Sequence, residues 1–155
     1  MNAIDTTHKY CIIGAGAAGI TAAKNLLQLG IPCDVIEKQD EIGGNWYYGS
    51  PHSSVYRSVH LISSKPLTQY TDFPLPEHLP TYLSRVQAWE YLRSYARAFD
   101  IYDHIEFGRS VEKVTRHSDG QWDVRLDGGE TRRYRGVILA IGHLWKPRFP
   151  EYPGG

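Results

Sequence analysis

The stretch Lys9-Tyr-Cys-Ile-Ile-Gly-Ala-Gly-Ala-Ala-Gly19 decides the fold of this chain. Its first five residues form an apolar run typical of a buried parallel strand. Apolar residues then recur at helical spacing up to Leu29, and Pro32 prevents the helix from continuing. Residues 33–37 are predicted to form a second short strand. The stretch therefore begins a predicted βαβ unit whose first strand is followed by a glycine-rich turn.

The turn has the spacing G-x-G-x-x-G, which in this setting predicts a dinucleotide site. Gly14 permits the tight turn, Gly16 lets a pyrophosphate approach the backbone, and Gly19 lets the helix pack closely on the strand. The helix N-terminus carries partial positive charge and free N–H groups, which suit an anion. The residues assigned to this turn are Gly14, Ala15, Gly16, Ala17, Ala18 and Gly19.

An acidic residue ends the second strand. The carboxylate of Glu37 can accept hydrogen bonds from ribose hydroxyls, and it disfavours a 2′-phosphate at the same place. This first site is therefore not predicted to bind NADP, and Lys38 beside Glu37 is included in it. The spacing alone leaves FAD and NAD open.

Composition excludes several classes of function. Hydrophobic residues make up 41% and charged residues 22%, as in soluble globular proteins, and 17 basic residues balance 17 acidic ones. We therefore expect no nucleic-acid partner and no membrane association. The seven histidines lack metal-ligand spacing, so no metal site is predicted. Cys11 and Cys33 are expected to be buried inert thiols, and a cytoplasmic location is expected.

The remainder of the chain divides into a long loop, a helix and short strands. Residues 38–83 are rich in Gly, Pro, Ser and Tyr and show little periodicity. A capping box at Ser84 and Gln87 begins a helix that runs to about Phe99. Its expected buried stripe is Val86, Trp89, Leu92, Ala96 and Phe99. Short strands are predicted at 105–107, at 111–116, 122–126 and 130–134 as an antiparallel meander, and at 137–141.

The loop contains six aromatic residues suited to packing against a large flat partner: Trp46, Tyr47, Tyr48, Tyr56, Tyr70 and Phe73. Together with the glycine turn, several motifs in this order resemble the flavin-containing monooxygenases, which are class B flavoprotein monooxygenases related to Baeyer–Villiger monooxygenases. The motifs in and after the loop are Gly43-Gly44-Asn45-Trp46, Tyr56-Arg-Ser-Val59, Ser63-Ser64-Lys65 and Asp72-Phe-Pro-Leu-Pro76. The similarity continues through Gln121-Trp-Asp-Val124, Ala140-Ile-Gly-His143 and Phe149-Pro-Glu-Tyr-Pro-Gly154. It covers nearly the whole chain.

The resemblance implies FAD at the glycine turn, with Glu37 on the adenosine ribose. Further positions implied at the cofactor are Gly44, Asn45, Trp46, Ile62, Ser63, Val111 and Gly142. In the family, NADPH reduces the flavin, and O2 then forms a C4a-hydroperoxide that transfers oxygen to a small-molecule S or N nucleophile or a carbonyl. NADPH or NADH, a small-molecule substrate and O2 are therefore the expected partners of the full-length protein.

One position departs from the family pattern. The family has Asn directly before the Ser-Ser-Lys run, and this chain has Ile62, whose side chain cannot replace the amide. The catalytic residues therefore stay unassigned, with His60 and Ser63 as weak candidates. The departure favours an alternative function, a flavoprotein reductase or NADPH oxidase without stable oxygenation.

The chain has no second G-x-G-x-x-G motif, so a nicotinamide nucleotide domain is not expected in its 155 residues. The resemblance implies an N-terminal FAD-binding domain over residues 1–155, with the loop 38–83 on the flavin side and the meander at about 111–134. The predicted fold is α/β: a Rossmann-like βαβ FAD-binding domain of the glutathione-reductase type (ββα) with a three-stranded antiparallel meander, in incomplete form. We expect a fragment that lacks turnover by itself. A truncated non-catalytic nucleotide-binding domain is a further alternative.

Overall fold

The computed structural model of the chain describes residues 3–144 and 148–152 and contains one six-stranded sheet. The strands are β1 (Ile4–Ile13), β2 (Cys33–Ile36), β3 (Ile105–Glu106), β4 (Val111–Arg116), β5 (Trp122–Leu126) and β6 (Thr131–Leu139). The helices are α1 (Ala17–Gln28), α2 (Lys65–Thr68) and α3 (Arg85–Ala98). The predicted α/β fold with a parallel βαβ start and an antiparallel meander is confirmed.

The sheet has the strand order β3-β2-β1-β6-β5-β4. Strands β3, β2, β1 and β6 are parallel, whereas β4, β5 and β6 pair antiparallel. The chain leaves β1 toward β2 on one side, and β6 lies on the other side of β1. This arrangement is a topological switch point, and it brings the carboxyl ends of β1, β2 and β6 to one edge of the sheet.

Strand β6 corrects the sequence prediction. The two strands predicted at 130–134 and 137–141 are one continuous strand, Thr131–Leu139. Its first part pairs with β5, and all of it lies beside β1, which consequently extends back to Ile4. Gly136 separates the two predicted strands in the sequence. A glycine is required there because the ring of Tyr10 packs against the backbone, and a Cβ at that position would lie 2.5 Å from Tyr10 Cε1.

Helix α3 begins at the predicted capping box, in which Ser84 and Gln87 each accept a backbone N–H of the other. Its predicted buried stripe is partly wrong, since Val86 is exposed. The buried residues are Ala88, Tyr91, Leu92, Tyr95 and Ala96. Tyr91 and Tyr95, which are absent from the predicted stripe, thus form much of the buried face of α3. A tyrosine ring can be buried when its hydroxyl has a hydrogen-bond partner or lies near the surface.

The aromatic residues of the loop 38–83 pack mainly against α3 rather than remaining available for a ligand. Tyr70 and Phe73 join a ring cluster with Tyr91 and Tyr95, with the Tyr70 and Tyr95 centroids 4.4 Å apart. The hydroxyl of Tyr91 accepts the N–H of Tyr70 at 2.7 Å and donates to the carbonyl of Phe73 at 2.5 Å. Tyr47 stacks on the ring of Trp89. For Tyr47, Tyr70 and Phe73, the expectation that the loop aromatics pack against a flat ligand is therefore wrong.

Two lysines fix the loop, one from helix α1 and one from within the loop itself. The buried ammonium of Lys24 on α1 pairs with Asp72 of the D-F-P-x-P motif. The ammonium of Lys65 donates to three backbone carbonyls, those of Pro76, Glu77 and Leu79, at 2.9–3.1 Å. The loop therefore has a defined conformation that its own contacts maintain.

The two cysteines are buried, as predicted. Burial raises the pKa of Cys11 to about 12 and that of Cys33 to about 11, so both thiols stay protonated at neutral pH. Among residues 3–144 and 148–152, no helix has the length and apolar character that a membrane crossing requires.

Candidate functional site

A cleft of about 560 Å³ lies at the sheet edge where β1, β2 and β6 end. This volume lies within the range of small-molecule sites. The glycine turn, the residues after β2, the loop before β4 and the residues after β6 surround it. Eleven of the fifteen residues predicted for the cofactor line the cleft: Gly14, Gly16, Ala17, Ala18, Glu37, Lys38, Gly44, Asn45, Trp46, Val111 and Gly142.

Glu37 is the best-fixed polar residue of the cleft. Its side chain is only 4% exposed, and its two carboxylate oxygens accept different backbone N–H groups. Oε2 accepts from Ala15 at 2.6 Å, and Oε1 accepts from Gln39 at 2.9 Å. The carboxylate thus connects the turn after β1 to the segment after β2. Each oxygen retains a second lone pair that a ligand hydroxyl can use.

The glycine turn has the steric constraints that its sequence predicts. Gly14 has φ +102°, and a Cβ there would lie 2.6 Å from the carbonyl oxygen of Ala140. A Cβ on Gly19 would overlap the carbonyl oxygen of Gly14, so the helix can pack on the turn only with glycine at that position. No side chain caps the N-terminus of α1, where Gly16 is the N-cap residue. The first backbone N–H groups of α1 are therefore open to the cleft, together with the positive end of the helix dipole.

The segment Gly43–Trp46 forms the wall opposite this turn. The N–H of Gly43 donates to the carbonyl of Ala15 at 3.0 Å. Gly43 has φ +118°, and a Cβ there would lie 2.6 Å from Cδ1 of Trp89. The indole of Trp89 in turn donates to the carbonyl of Ile42 at 2.9 Å. The paired glycines thus allow the two backbone segments to lie close together, since a Cβ on Gly44 would be 3.2 Å from Cα of Gly16.

Four predicted cofactor residues do not line the cleft. Ala15 is fully buried behind the turn, where its N–H meets Glu37, and Gly19 is buried beneath the turn. Ile62 is 99% exposed on the surface of the loop. Ser63 forms a 2.7 Å hydrogen bond with the hydroxyl of Thr68 in α2.

His60, a weak catalytic candidate, also lies outside the cleft. It is exposed, its Nδ1 is 2.9 Å from the carbonyl oxygen of Ser58, and its backbone bridges to Ser84. Local pairing within the loop and with the start of α3 therefore holds this segment away from the sheet edge. Among the described residues, no group of three or more His, Cys, Asp or Glu side chains is arranged to hold a metal ion.

Sequence reasoning missed several residues of the cleft, among them Gln39, His52, Arg109 and Ser110. Arg109 and Ser110 lie in the loop between β3 and β4, and their only sequence signal was their position just before Val111. The guanidinium of Arg109 is held by Asp127, with Nε 3.0 Å from Oδ1, and the backbone N–H of Arg109 donates to the carbonyl of Glu37. The loop is thereby fixed against the end of β2.

Comparison with known proteins identifies the family. Residues 7–154 match the flavin-binding monooxygenase-like family. The chain belongs to this family. Flavin-containing monooxygenase 1 of Homo sapiens is 35% identical over 159 aligned residues, which cover 94% of the chain and 30% of the human protein. The chain thus spans about 30% of the length of the curated flavin-containing monooxygenases that it matches.

Solved structures of flavin monooxygenases share the fold. S-allyl-L-cysteine S-oxygenase from Allium sativum superposes with a TM-score of 0.87 at 26% identity, over 96% of this chain and 39% of that one. The OTEMO complex with FAD and NADP superposes with a TM-score of 0.80 at 27% identity, over 94% of this chain and 28% of that one. The chain therefore corresponds to one part of these larger flavoproteins.

The residues of the cleft fit FAD. The uncapped N-terminus of α1 suits the pyrophosphate, and the cleft beside it is lined by Gly14 and Gly16, which have no side chains to keep the pyrophosphate from the backbone. Glu37 suits the ribose hydroxyls. In addition, the buried amide oxygen of Gln39 lacks a hydrogen-bond partner among the described residues, so this part of the cleft has a polar group to offer a ligand.

We predict that Glu37→Gln lowers the free energy of unfolding of the unliganded chain by about 1–3 kcal/mol. A glutamine has one acceptor oxygen, so one of the two backbone N–H groups now bound by Glu37 would face an NH2 group. Urea unfolding monitored by circular dichroism measures the change. The control is Glu77→Gln, which makes the same change at an exposed loop position. Equal stability of the two variants would contradict the role assigned to Glu37.

Proposed function

We propose that this chain is the FAD-binding part of an NAD(P)H-dependent flavoprotein monooxygenase. One observation carries the proposal: the uncapped N-terminus of α1 and the buried carboxylate of Glu37 face the same cleft, at the switch point of a flavin monooxygenase fold. A pyrophosphate and a ribose diol need these two groups. Membership of the family selects FAD over NAD as the dinucleotide.

Each part of the cleft has a proposed role in holding FAD. The first backbone N–H groups of α1 donate to the pyrophosphate, and Glu37 accepts from the ribose hydroxyls. The backbone at Val111 lies beside the adenine, while Asn45 and Trp46 face the remaining part of the cofactor. Bound FAD supplies the redox and O2 chemistry, and these residues bind and orient it. The carboxylate of Glu37 also disfavours a 2′-phosphate here, so the nicotinamide nucleotide, NADPH or NADH, binds elsewhere in the full-length protein.

The reaction proposed for the full-length protein is oxygen transfer from O2 to a small molecule with a nucleophilic S or N atom or a carbonyl group. The names of similar proteins support each of these classes: an S-allyl-L-cysteine S-oxygenase, a dimethylaniline monooxygenase (N-oxide-forming) and a cyclohexanone monooxygenase. The proposal stays at the level of these classes, because the chain covers about 30% of its relatives.

The proposal predicts that the chain binds FAD and that Ala18→Glu weakens this binding about tenfold or more. Ala18 is exposed in the first turn of α1 and lines the cleft. A carboxylate there repels the pyrophosphate, whereas it favours the helix itself, so the variant should fold. Quenching of flavin fluorescence measures binding. The control is Gln28→Glu, the same change in charge at the far end of α1. An Ala18→Glu variant that binds FAD like the control would refute this site.

A second function, NAD(P)H oxidase, is favoured by Ile62. The family has Asn at this position, and the Ile side chain has no hydrogen-bonding group to offer the cofactor or its reaction with O2. In this domain Ile62 is 99% exposed and lies outside the cleft, so the proposal assumes that the flavin half of FAD extends beyond the cleft as far as this residue. We therefore propose that the full-length protein releases part of the reduced O2 as H2O2 instead of transferring oxygen to a substrate.

This second proposal predicts a high ratio of H2O2 formed to NADPH consumed by a protein that contains this domain and its nicotinamide nucleotide site. Ile62→Asn should lower that ratio, because it restores the amide. Leu67→Asn is the control, since Leu67 is another exposed aliphatic residue of the same loop. Peroxide and NADPH are assayed in the same reaction. A wild-type protein that forms little H2O2 and yields one molecule of oxygenated substrate for each NADPH oxidised would exclude the oxidase.

A further inference from the structure

Trp89 on α3 contacts the backbone that forms the cleft wall opposite the glycine turn. Its indole N–H donates to the carbonyl of Ile42 at 2.9 Å. Its Cδ1 lies 2.6 Å from the point that a Cβ on Gly43 would occupy, so the backbone at Gly43 rests directly on the indole. Trp89 is half-buried and lies outside the set of described residues that line the cleft. It therefore supports the wall from behind.

The indole of Trp89 is itself held by two side chains. The ring of Tyr47 stacks on it, with centroids 5.3 Å apart and planes 15° from parallel. The guanidinium of Arg93, one helical turn later on α3, lies 4.8 Å from the ring centre. Both kinds of contact stabilise an aromatic ring in one orientation. Because Tyr47 directly follows Trp46, the segment Gly43–Trp46 meets this indole at both of its ends.

A charged contact fixes the chain just before the wall. The carboxylate of Glu41 pairs with Arg93, with Oε2 3.2 Å from Nε, and its Oε1 accepts the hydroxyl of Tyr102 at 2.8 Å. Arg93 belongs to α3 and Tyr102 to the short turn after it. On the other side, the N–H of Gly43 donates to the carbonyl of Ala15. Contacts with α3 and with the glycine turn thus determine together where the wall lies.

The hydrogen bond of Trp89 distinguishes it from a residue that only fills space. Ile42 is fully buried, so its carbonyl would lose its indole partner in a variant that kept an aromatic ring without an N–H group. Leaving a buried acceptor unpaired is unfavourable, and the backbone would move to find another donor. Such a movement would occur next to Gly43, within the wall of the cleft.

We propose that Trp89 is a positioning residue that holds the Gly43–Trp46 wall in the conformation that receives FAD. The inference rests on the proposed function, which places Asn45 and Trp46 against the part of FAD beyond its adenosine half. With the wall fixed in advance, FAD loses less entropy on binding than it would if it had to order the wall itself. ADP lacks the flavin half and is assigned to Glu37 and the N-terminus of α1. Trp89 therefore contributes more to the affinity for FAD than to the affinity for ADP.

The test compares FAD with ADP by isothermal titration of the whole chain. The wild-type chain should bind FAD more tightly than ADP. Trp89→Phe keeps a ring but removes the N–H group, so it should weaken FAD binding about fivefold, as expected for the loss of one hydrogen bond, and change ADP binding less than twofold. Trp122→Phe is the control. Trp122 is another half-buried indole, on β5, and it does not line the cleft, so this variant should keep the wild-type ratio of the two affinities.

A second variant keeps the proposal testable if Trp89→Phe fails to fold, which circular dichroism would show. Tyr47→Leu removes the ring stacked on the indole and should lower the FAD-to-ADP affinity ratio in the same direction. An unchanged ratio in the folded variants would overturn the proposal, and so would an equal loss of affinity for both ligands, which indicates a general structural role. A wild-type chain that binds FAD no more tightly than ADP would overturn it also. If the wild-type chain bound neither ligand, the proposed function itself would fall, and this proposal with it.

Discussion

The carboxylate of Glu37 is the interaction on which the site depends. It accepts the N–H of Ala15 with one oxygen and the N–H of Gln39 with the other. These bonds join the glycine turn after β1 to the segment after β2, so two neighbouring strand ends have fixed relative positions. The backbone N–H of Glu37 also donates to Glu106 on β3. A single buried acidic residue thus organises three strand ends, and it lines the cleft that those ends form.

A second constraint is that the protein itself, and not a ligand, fixes the long loop. The hydroxyl of Tyr91 bonds to two loop residues, and Lys65 binds three loop carbonyls. Lys24 on α1 pairs with Asp72 from the other side. The wall at Gly43 is likewise held by the protein, through the N–H of Gly43 on the carbonyl of Ala15 and the indole of Trp89 on the carbonyl of Ile42. Preformed walls reduce the entropy lost on binding, which is the main structural advantage of such a loop.

The sequence was sufficient to predict the βαβ unit, the glycine turn and the position of Glu37 at the end of β2 beside that turn, because these depend on local spacing and on the handedness of the crossover. The sequence was insufficient where contacts between residues distant in the chain determine the extent of a strand or the position of a loop residue. The continuity of β6 depends on β1 lying beside it, and no local signal in the charged residues 130–135 reveals that. The positions of His60 and Ser63 outside the cleft depend on pairing with Ser84 and Thr68 respectively, which motif spacing does not contain. Gln39 was missed because an unpaired buried oxygen is visible only in three dimensions.

The central claim is that this cleft holds the adenosine half of FAD, while the flavin half extends beyond the glycine segments. Competition between FAD and each of its halves tests this claim most directly. The chain is saturated with FAD, and the recovery of free flavin fluorescence is followed as ADP or FMN is added. The account predicts that ADP displaces FAD and that FMN at the same concentration does not. Displacement by FMN, or failure of ADP to displace FAD, would contradict it.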